Sequence, residues 1–454
     1  MVRTKEKEKK IKIATEENQE EQHAYSLSEV HRSIDVPHGS SFLRMLLAFT
    51  GPGLLVAVGY MDPGNWATDL AGGAQFGYSL LFVIAISNLM AIVLQALALK
   101  LGIVTGRDLA QTCRDEYSKP VGFGLWILAE IAISATDLAE VVGSAVAIQM
   151  LFGLPLIVGV LITALDVFLV LFLNSKSFRY IEVVVAALIA VISLSFLAEL
   201  IFAKPEWSGV LNGFFVPQAQ IVTNPKMLYI AIGILGATVM PHNLYLHSSI
   251  IQTRKFDLTP EGKREAIRFG TIDSTGSLMG ALFVNAAILV LASATFHTTG
   301  HQDVAQIQDA YELLSPLLGT SLAGLFFAIA LLASGENSTL TGTLAGQIVM
   351  EGFLDIKINP LLRRIITRAL AIVPAILVIW HYGEGSATSL LVLSQVILSV
   401  QLSFAVIPLV KFTSDKRLMG EFANPNWLKA LAWGIAVIIA VLNVYLLYST
   451  FFPA

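Results

Sequence analysis

Residues 51–73, GPGLLVAVGYMDPGNWATDLAGG, form an apolar stretch long enough to cross a bilayer, and at its middle stand Asp62-Pro63-Gly64-Asn65, a carboxylate and an amide around a helix breaker. Pro63 lacks a backbone donor and clashes with the preceding turn, and Gly64 lowers the cost of leaving helical geometry, so nearby carbonyls lose their intrahelical partners. Hydrocarbon offers those carbonyls no water. Such backbone survives at membrane depth only where protein or a wet cavity surrounds it. An ionisable residue there is a functional candidate: Asp62 at mid-helix costs roughly 2.5–3.5 kcal/mol on insertion scales, which a cation or a proton offsets. The stretch reads as a broken transmembrane helix around a cation-binding site.

The rest of the chain fits that reading. Of 454 residues 55% are hydrophobic and 14% charged, with a mean hydropathy of +0.71, which indicates an all-α polytopic membrane protein with no aqueous catalytic domain. Eleven apolar runs have the length of about 20 residues that a helix needs to span roughly 30 Å of hydrocarbon. They lie near 42–70, 76–99, 121–148, 154–173, 180–203, 227–253, 268–296, 316–351, 360–381, 386–412 and 427–450, here spans 1 to 11.

Lysine and arginine collect in cytoplasmic loops. Here they fall in the N-terminal region and in alternate connections: Lys100 to Lys119, Lys176 and Arg179, Arg254 to Arg268, Lys357 to Arg368, and Lys411 to Lys429. Of all 29, that leaves Lys204 and Lys226 for the other side. The expected topology has a cytoplasmic N-terminus and an extracellular C-terminus. Residues 1–41 are charged and poor in apolar side chains, the composition of a disordered cytoplasmic tail, and they lack the apolar core of a signal peptide. Lysines of the run Lys5 to Lys12 alternate with glutamates, as in a solvated tail. A lone Cys113 excludes an internal disulfide and a cysteine metal cluster. No Gly-rich phosphate loop or nucleic-acid motif is present, so no nucleotide cofactor or nucleic-acid partner is expected.

Span 6 repeats the interruption. Its run Leu228–Ile250, LYIAIGILGATVMPHNLYLHSSI, carries Gly233, Gly236 and then Ala237-Thr238-Val239-Met240-Pro241-His242. Two discontinuous helices at corresponding places are the sequence sign of inverted repeats with a site near the midplane. Spans 1 and 6 start on opposite sides, as inversion requires. The expected fold is a LeuT-like 5+5 inverted repeat, with residues 42–203 as the first repeat, 227–412 as the second and 427–450 as an extra helix.

The groups brought together would be the Asp62 carboxylate, the Asn65 amide, freed carbonyls near Gly59 and Ala237, and the Met240 thioether. Hard Mg2+ and Ca2+ prefer all-oxygen shells, whereas thioether sulfur favours softer transition metals. One carboxylate on a divalent ion leaves a net positive site from which the metal can depart, as transport requires.

Asp62-Pro63-Gly64-Asn65 together with Met240-Pro241-His242 resembles the signature of the NRAMP family, proton-coupled divalent metal transporters, and most of all its bacterial manganese transporters, over residues 42–450. The resemblance implies that Asp62, Asn65, Met240 and the Ala237 carbonyl bind the metal, with the Gly59 carbonyl joining in the inward state. It also implies that Gln395 and Thr238 complete the shell when the site is occluded. The implied cargo is Mn2+ or Fe2+, with Cd2+ and Co2+ as further substrates, and H+ as coupling ion. A monomer in the bilayer suffices.

Span 3 carries Glu130, Asp137 and Glu140, and separations of seven and three put them on one helix face. Intramembrane acids pair or face the interior, and Arg363 and Arg364 at the start of span 9 are the expected partners. The resemblance adds Asp62, His242 and Asp137 as residues of a proton path. Asp166 and Glu199 read as structural acids, and His297 and His301 as surface residues of a loop. A sodium-coupled amino-acid symporter could share the fold, but Asp62 would compete with a substrate carboxylate. A magnesium transporter of the same superfamily would not need Met240. A metalloenzyme is disfavoured because no H-E-x-x-H is present and His242 and His247, five apart, do not share a face.

Overall fold

The computed structural model describes residues 26–37, 41–166, 168, 172, 176–302, 306–356 and 360–451; residues 1–25 of the expected tail, and part of span 4, lie outside them. Proline and glycine set the helix boundaries. Span 1 consists of α1 (Phe42–Phe49), α2 (Pro52–Gly59) and α3 (Pro63–Phe76). Both later pieces begin with proline at the first helical position, where a missing N–H costs nothing. The expected break falls at Tyr60–Asp62. A further bend of 47° separates α1 from α2, at Gly51, whose φ of 139° is open to glycine; the sequence reading did not foresee it.

The chain continues through α4 (Leu81–Thr105), α5 (Leu109–Glu116), α6 (Lys119–Phe152), α7 (Leu156–Ile162) and α8 (Phe178–Ala203). Span 6 is α9 (Pro225–Thr238) and α10 (Pro241–Ile250), interrupted at Val239-Met240 where Pro241 restarts the helix. Then come α11 (Pro260–Ala292), α12 (Ile307–Leu318), α13 (Leu322–Leu354), α14 (Pro360–Tyr382), α15 (Ala387–Ser414) and α16 (Asn426–Phe451). The stretch expected as span 8 is α13, which starts six residues later than expected because Gly319 takes a left-handed φ of 67° and ends the preceding α12. Two-residue strands β1 (Ile34–Asp35) and β2 (Arg254–Lys255) pair in parallel.

Among the described residues, eight helices are long and apolar enough to cross a membrane, or nine when the bent pair α1–α2 is joined. The count of eleven is not reproduced. Part of 154–173 is outside the described residues, α3 and α4 form one run of 43 residues, and α14 stands outside the count. The broken α9–α10 is central, with 94% of its most apolar window inside the protein. By contrast α14 is polar inward and apolar outward: Arg363, Arg364 and Arg368 are buried while Leu362, Ile366, Leu370, Val373 and Leu377 are exposed. That inversion suits a hydrocarbon solvent, where the costly groups must find partners inside.

Candidate metal centre

Asp62 sits in extended backbone as the N-cap of α3, and its Oδ1 accepts the Asn65 N–H at 2.8 Å. This cap satisfies one of the orphan donors at the helix start. The carbonyls released by the break are taken up by side chains. Asn65 Nδ2 and Asn285 Nδ2 both donate to the Tyr60 carbonyl, at 2.9 and 2.8 Å. Ser334 Oγ and Trp66 Nε1 donate to that of Met61, at 2.5 and 3.3 Å. Gly59 closes α2 and Ala237 lies one residue before the end of α9, so each borders a break.

Gln395 of α15 stands between the two breaks. Its Nε2 donates to Asp62 Oδ2 at 3.3 Å, and its side chain lies against Gly64 so closely that a Cβ there would strike it. On the other side its carbonyl is 2.7 Å from where a Cβ of Gly236 would be. One turn further along α15, Leu398 packs with Met240 and with Ala132 of α6. Asp62, Asn65, Gln395 and Met240 are all 0% exposed. Thr238, also buried, donates its hydroxyl to the Ile234 carbonyl at 2.7 Å. Three carbonyl-type oxygens here, Asn65 Oδ1, Asn285 Oδ1 and Gln395 Oε1, are buried without a hydrogen-bond partner. Unpaired buried acceptors are costly, and they are what a cation would satisfy.

The acid face of α6 meets α14 as expected. Arg363 Nη2 is 3.3 Å from Glu130 Oε1, and Arg364 Nη1 is 3.0 Å from Asp137 Oδ1. Arg364 also reaches Glu140 at 3.8 Å. His242 Nδ1 lies 3.4 Å from Thr136 Oγ1, so the second break touches α6 beside Asp137. A separate hydrogen-bond chain joins the first break to the last turn of α10: Gln95 Nε2 donates to the Tyr60 hydroxyl at 2.9 Å, and Gln95 Oε1 is 3.0 Å from His247 Nδ1.

Sequence reasoning missed part of this network. Arg368 pairs with Asp166 and lies 3.5 Å from Glu140, and its Nη2 donates to Thr339 at 2.8 Å. Its spacing of four from Arg364, on one helix face, was the available signal, as was an acid inside the apolar run of span 4. Asp166, expected as a structural acid, is also 3.9 Å from Arg364. Glu199 is buried with neither carboxylate oxygen partnered. His301 is exposed, while His297 is half-buried with Nδ1 3.0 Å from the Ala74 carbonyl. Among the described residues no three His, Cys, Asp or Glu side chains cluster as a metal site, so the mixed group at the breaks is the candidate.

Two helices broken at corresponding places, with a carboxylate, amides and a thioether gathered at the breaks, define a LeuT-like inverted-repeat membrane protein. Residues 53–449 match the family model described as natural resistance-associated macrophage protein-like, and the chain belongs to this Nramp family. It is 64% identical over 429 residues to a divalent metal cation transporter, MntH, of Listeria monocytogenes, covering 94% of this chain and 96% of that one. It is 63% identical over 425 residues to the MntH of a Nostoc species, with the same coverage. A crystal structure of the Eremococcus coleocola manganese transporter superposes with a TM-score of 0.88 at 42% identity, over 94% of this chain and 92% of that one. The nucleobase-cation symporter Mhp1, at 16% identity and a TM-score of 0.59, shares the fold alone.

Proposed function

We propose that the protein imports divalent transition metal ions, Mn2+ and Fe2+ with Cd2+ and Co2+ as further substrates, across the bacterial plasma membrane by proton symport and alternating access. The observation that carries this reading is the contact of Asp62 with Asn65 and Gln395 at the first break, with unpartnered oxygens on Asn65 and Gln395, while Met240 at the second break packs against Leu398, one turn along α15 from Gln395. The names of the relatives at 64% and 63% identity support the metal as cargo. The Gln395 amide supplies a donor to Asp62. Rotation of that amide would present Oε1 instead and add an oxygen to a shell of Asp62, Asn65, Met240 and the Ala237 carbonyl, with Thr238 nearby and the Gly59 carbonyl joining when the site opens inward. A thioether in this shell favours Mn2+ and Fe2+ over Mg2+ and Ca2+.

For protons, Asp62 and His242 at the breaks lead to Asp137 and the rest of the α6 row. Glu130, Asp137, Glu140 and Asp166 are in ion-pair contact with Arg363, Arg364 and Arg368. Four acids against three arginines leave one negative charge, enough to hold one proton. The pattern of lysine and arginine supports a cytoplasmic N-terminus and extracellular C-terminus, and residues 42–203 and 227–412 as the two repeats with 427–450 outside them. A whole site within one chain supports work as a monomer. Proteoliposomes holding a pH dye test the reading. Mn2+ uptake with internal acidification is expected, lost in Asp62→Ala. Uptake without acidification would remove the coupling, and Met240→Ala with unchanged exclusion of Mg2+ would remove the sulfur argument.

A further inference from the structure

Residues 26–37 cross the ends of α4 and α10, away from the helix breaks. The segment is tied down by the β1–β2 pairing and by the Arg32 N–H, which donates to the Gln252 carbonyl at 2.9 Å. Arg32 is held at a φ of 51°, a left-handed conformation that non-glycine residues adopt at a cost. The side chain so placed lines a cavity of about 260 Å3 between the segment and the helix ends. At ~30 Å3 of liquid volume per water, the space is that of a small headgroup rather than a bare ion.

Among the described residues the cavity wall carries Arg32, Arg254 and Lys263 and no carboxylate. Burial and the neighbouring Arg32 guanidinium push the His31 imidazole down to about 4, so it lines the wall as a neutral ring at pH 7. Arg254 is balanced by Glu182 at 2.6 Å, which leaves Arg32 and Lys263 as the net positive charge. Each spends a donor on a carbonyl, Arg32 on Phe256 at 2.7 Å and Lys263 on Val104 at 2.9 Å. A guanidinium has five N–H donors and an ammonium three, so both keep donors for a ligand. Leu258, 61% exposed, adds an apolar rim.

We propose that this cavity binds a phosphate group, carried by an anionic phospholipid headgroup or free in solution, between Arg32 of the N-terminal segment and Lys263 of α11. The ligand fastens the segment to the helix ends, and on the proposed orientation it does so at the cytoplasmic leaflet, where anionic lipid headgroups attract basic clusters. Binding is independent of the transport reading and is measured without metal. In detergent, unfolding of the full-length protein is followed by a thiol-reactive dye at Cys113, which is buried. Phosphatidylglycerol, phosphatidylcholine and inorganic phosphate are titrated separately.

The expected result is a rise in the unfolding midpoint with phosphatidylglycerol and none with phosphatidylcholine. The double variant Arg32→Gln/Lys263→Gln should need at least tenfold more lipid for the same increment. Leu258→Glu, which sets a negative charge at the rim and leaves both internal bonds in place, should weaken binding likewise. A response to inorganic phosphate at the wild-type site, lost in the same variants, assigns the free anion; a response to the lipid alone assigns the headgroup. Equal increments in wild type and both variants overturn the site.

Discussion

Replacing Arg368 by methionine removes one charge from a buried ionic cluster and leaves its partners in place. Asp166 and Glu140 would lose a guanidinium at 3.1 and 3.5 Å, and the Thr339 hydroxyl would lose a donor at 2.8 Å. Arg368 is 2% exposed and Glu140 0%, so water cannot replace the lost partner without a local opening. Removing one member of a buried ion pair costs about 3–5 kcal/mol. At 1.36 kcal/mol per decade, that lowers the folded-to-unfolded ratio by roughly 150- to 5000-fold. Much of the cost is the stranded acid rather than the lost attraction. The double variant Arg368→Met/Asp166→Asn should therefore recover about half of it, giving a coupling energy inside the 0.5–3 kcal/mol range of contacting residues. Reversible unfolding in mixed micelles, with all three variants in one double-mutant cycle, measures both quantities. A single variant within about 0.5 kcal/mol of wild type, or additive effects in the double, would refute the argument that the cluster is dry and mutually dependent.

Three further outcomes are expected. Gly64→Ala drives a methyl into the Gln395 side chain and displaces the amide whose Oε1 the proposed shell uses; a loss the size of a hydrogen bond to a charged group, about 1.5–3 kcal/mol, should weaken Mn2+ binding roughly ten- to hundredfold by calorimetry. Gly51→Ala combines a positive φ with a collision on the Glu182 carboxylate, so a loss of about 1–3 kcal/mol in the same micelle unfolding assay is expected. Asp108, outside the spans, is raised to about 6 chiefly by burial, against its hydrogen bond from the Gln111 N–H. A folded pKa above the unfolded value means the native state holds the extra proton. Its stability contribution is full below pH 3.8 and is lost as pH rises through 6, by about 3 kcal/mol. Asp108→Asn, which keeps an N-cap, should flatten that slope in unfolding curves recorded from pH 4 to 7.

What could be read from the chain followed from costs that a bilayer makes large. Pro63 and Pro241 mark the two main breaks wherever they lie, and buried acids on one face of α6 demand cations, which Arg363 and Arg364 supply. The cluster's extension to Arg368 and Asp166 was harder, since a lone acid in span 4 gives no hint of its partner 202 positions away. The capping of the Tyr60 and Met61 carbonyls by Asn285 and Ser334 was invisible for the same reason: helices remote in sequence supply those side chains, and nothing local requires an asparagine or serine there. The Gly51 bend was missed because GPG reads equally well as the start of one continuous helix. The number of spans is least legible, since hydropathy does not say whether consecutive apolar helices turn back or run on.

The pairing of α6 with α14 also sets a problem in time. Asp137 and Arg364 are 227 residues apart, and at roughly 5–20 residues per second a ribosome needs about 10–45 s to make that interval. For all of it the acids of α6 have been synthesised and their counter-charges have not. The helix must wait protonated or sheltered by the insertion machinery. The three arginines of α14 then enter hydrocarbon, at roughly 2.5–3.5 kcal/mol apiece near the centre, against a surface already made to receive them. Biogenesis of this protein is thus vulnerable late in translation, and a nascent chain truncated before residue 360 holds the acidic half of the cluster alone.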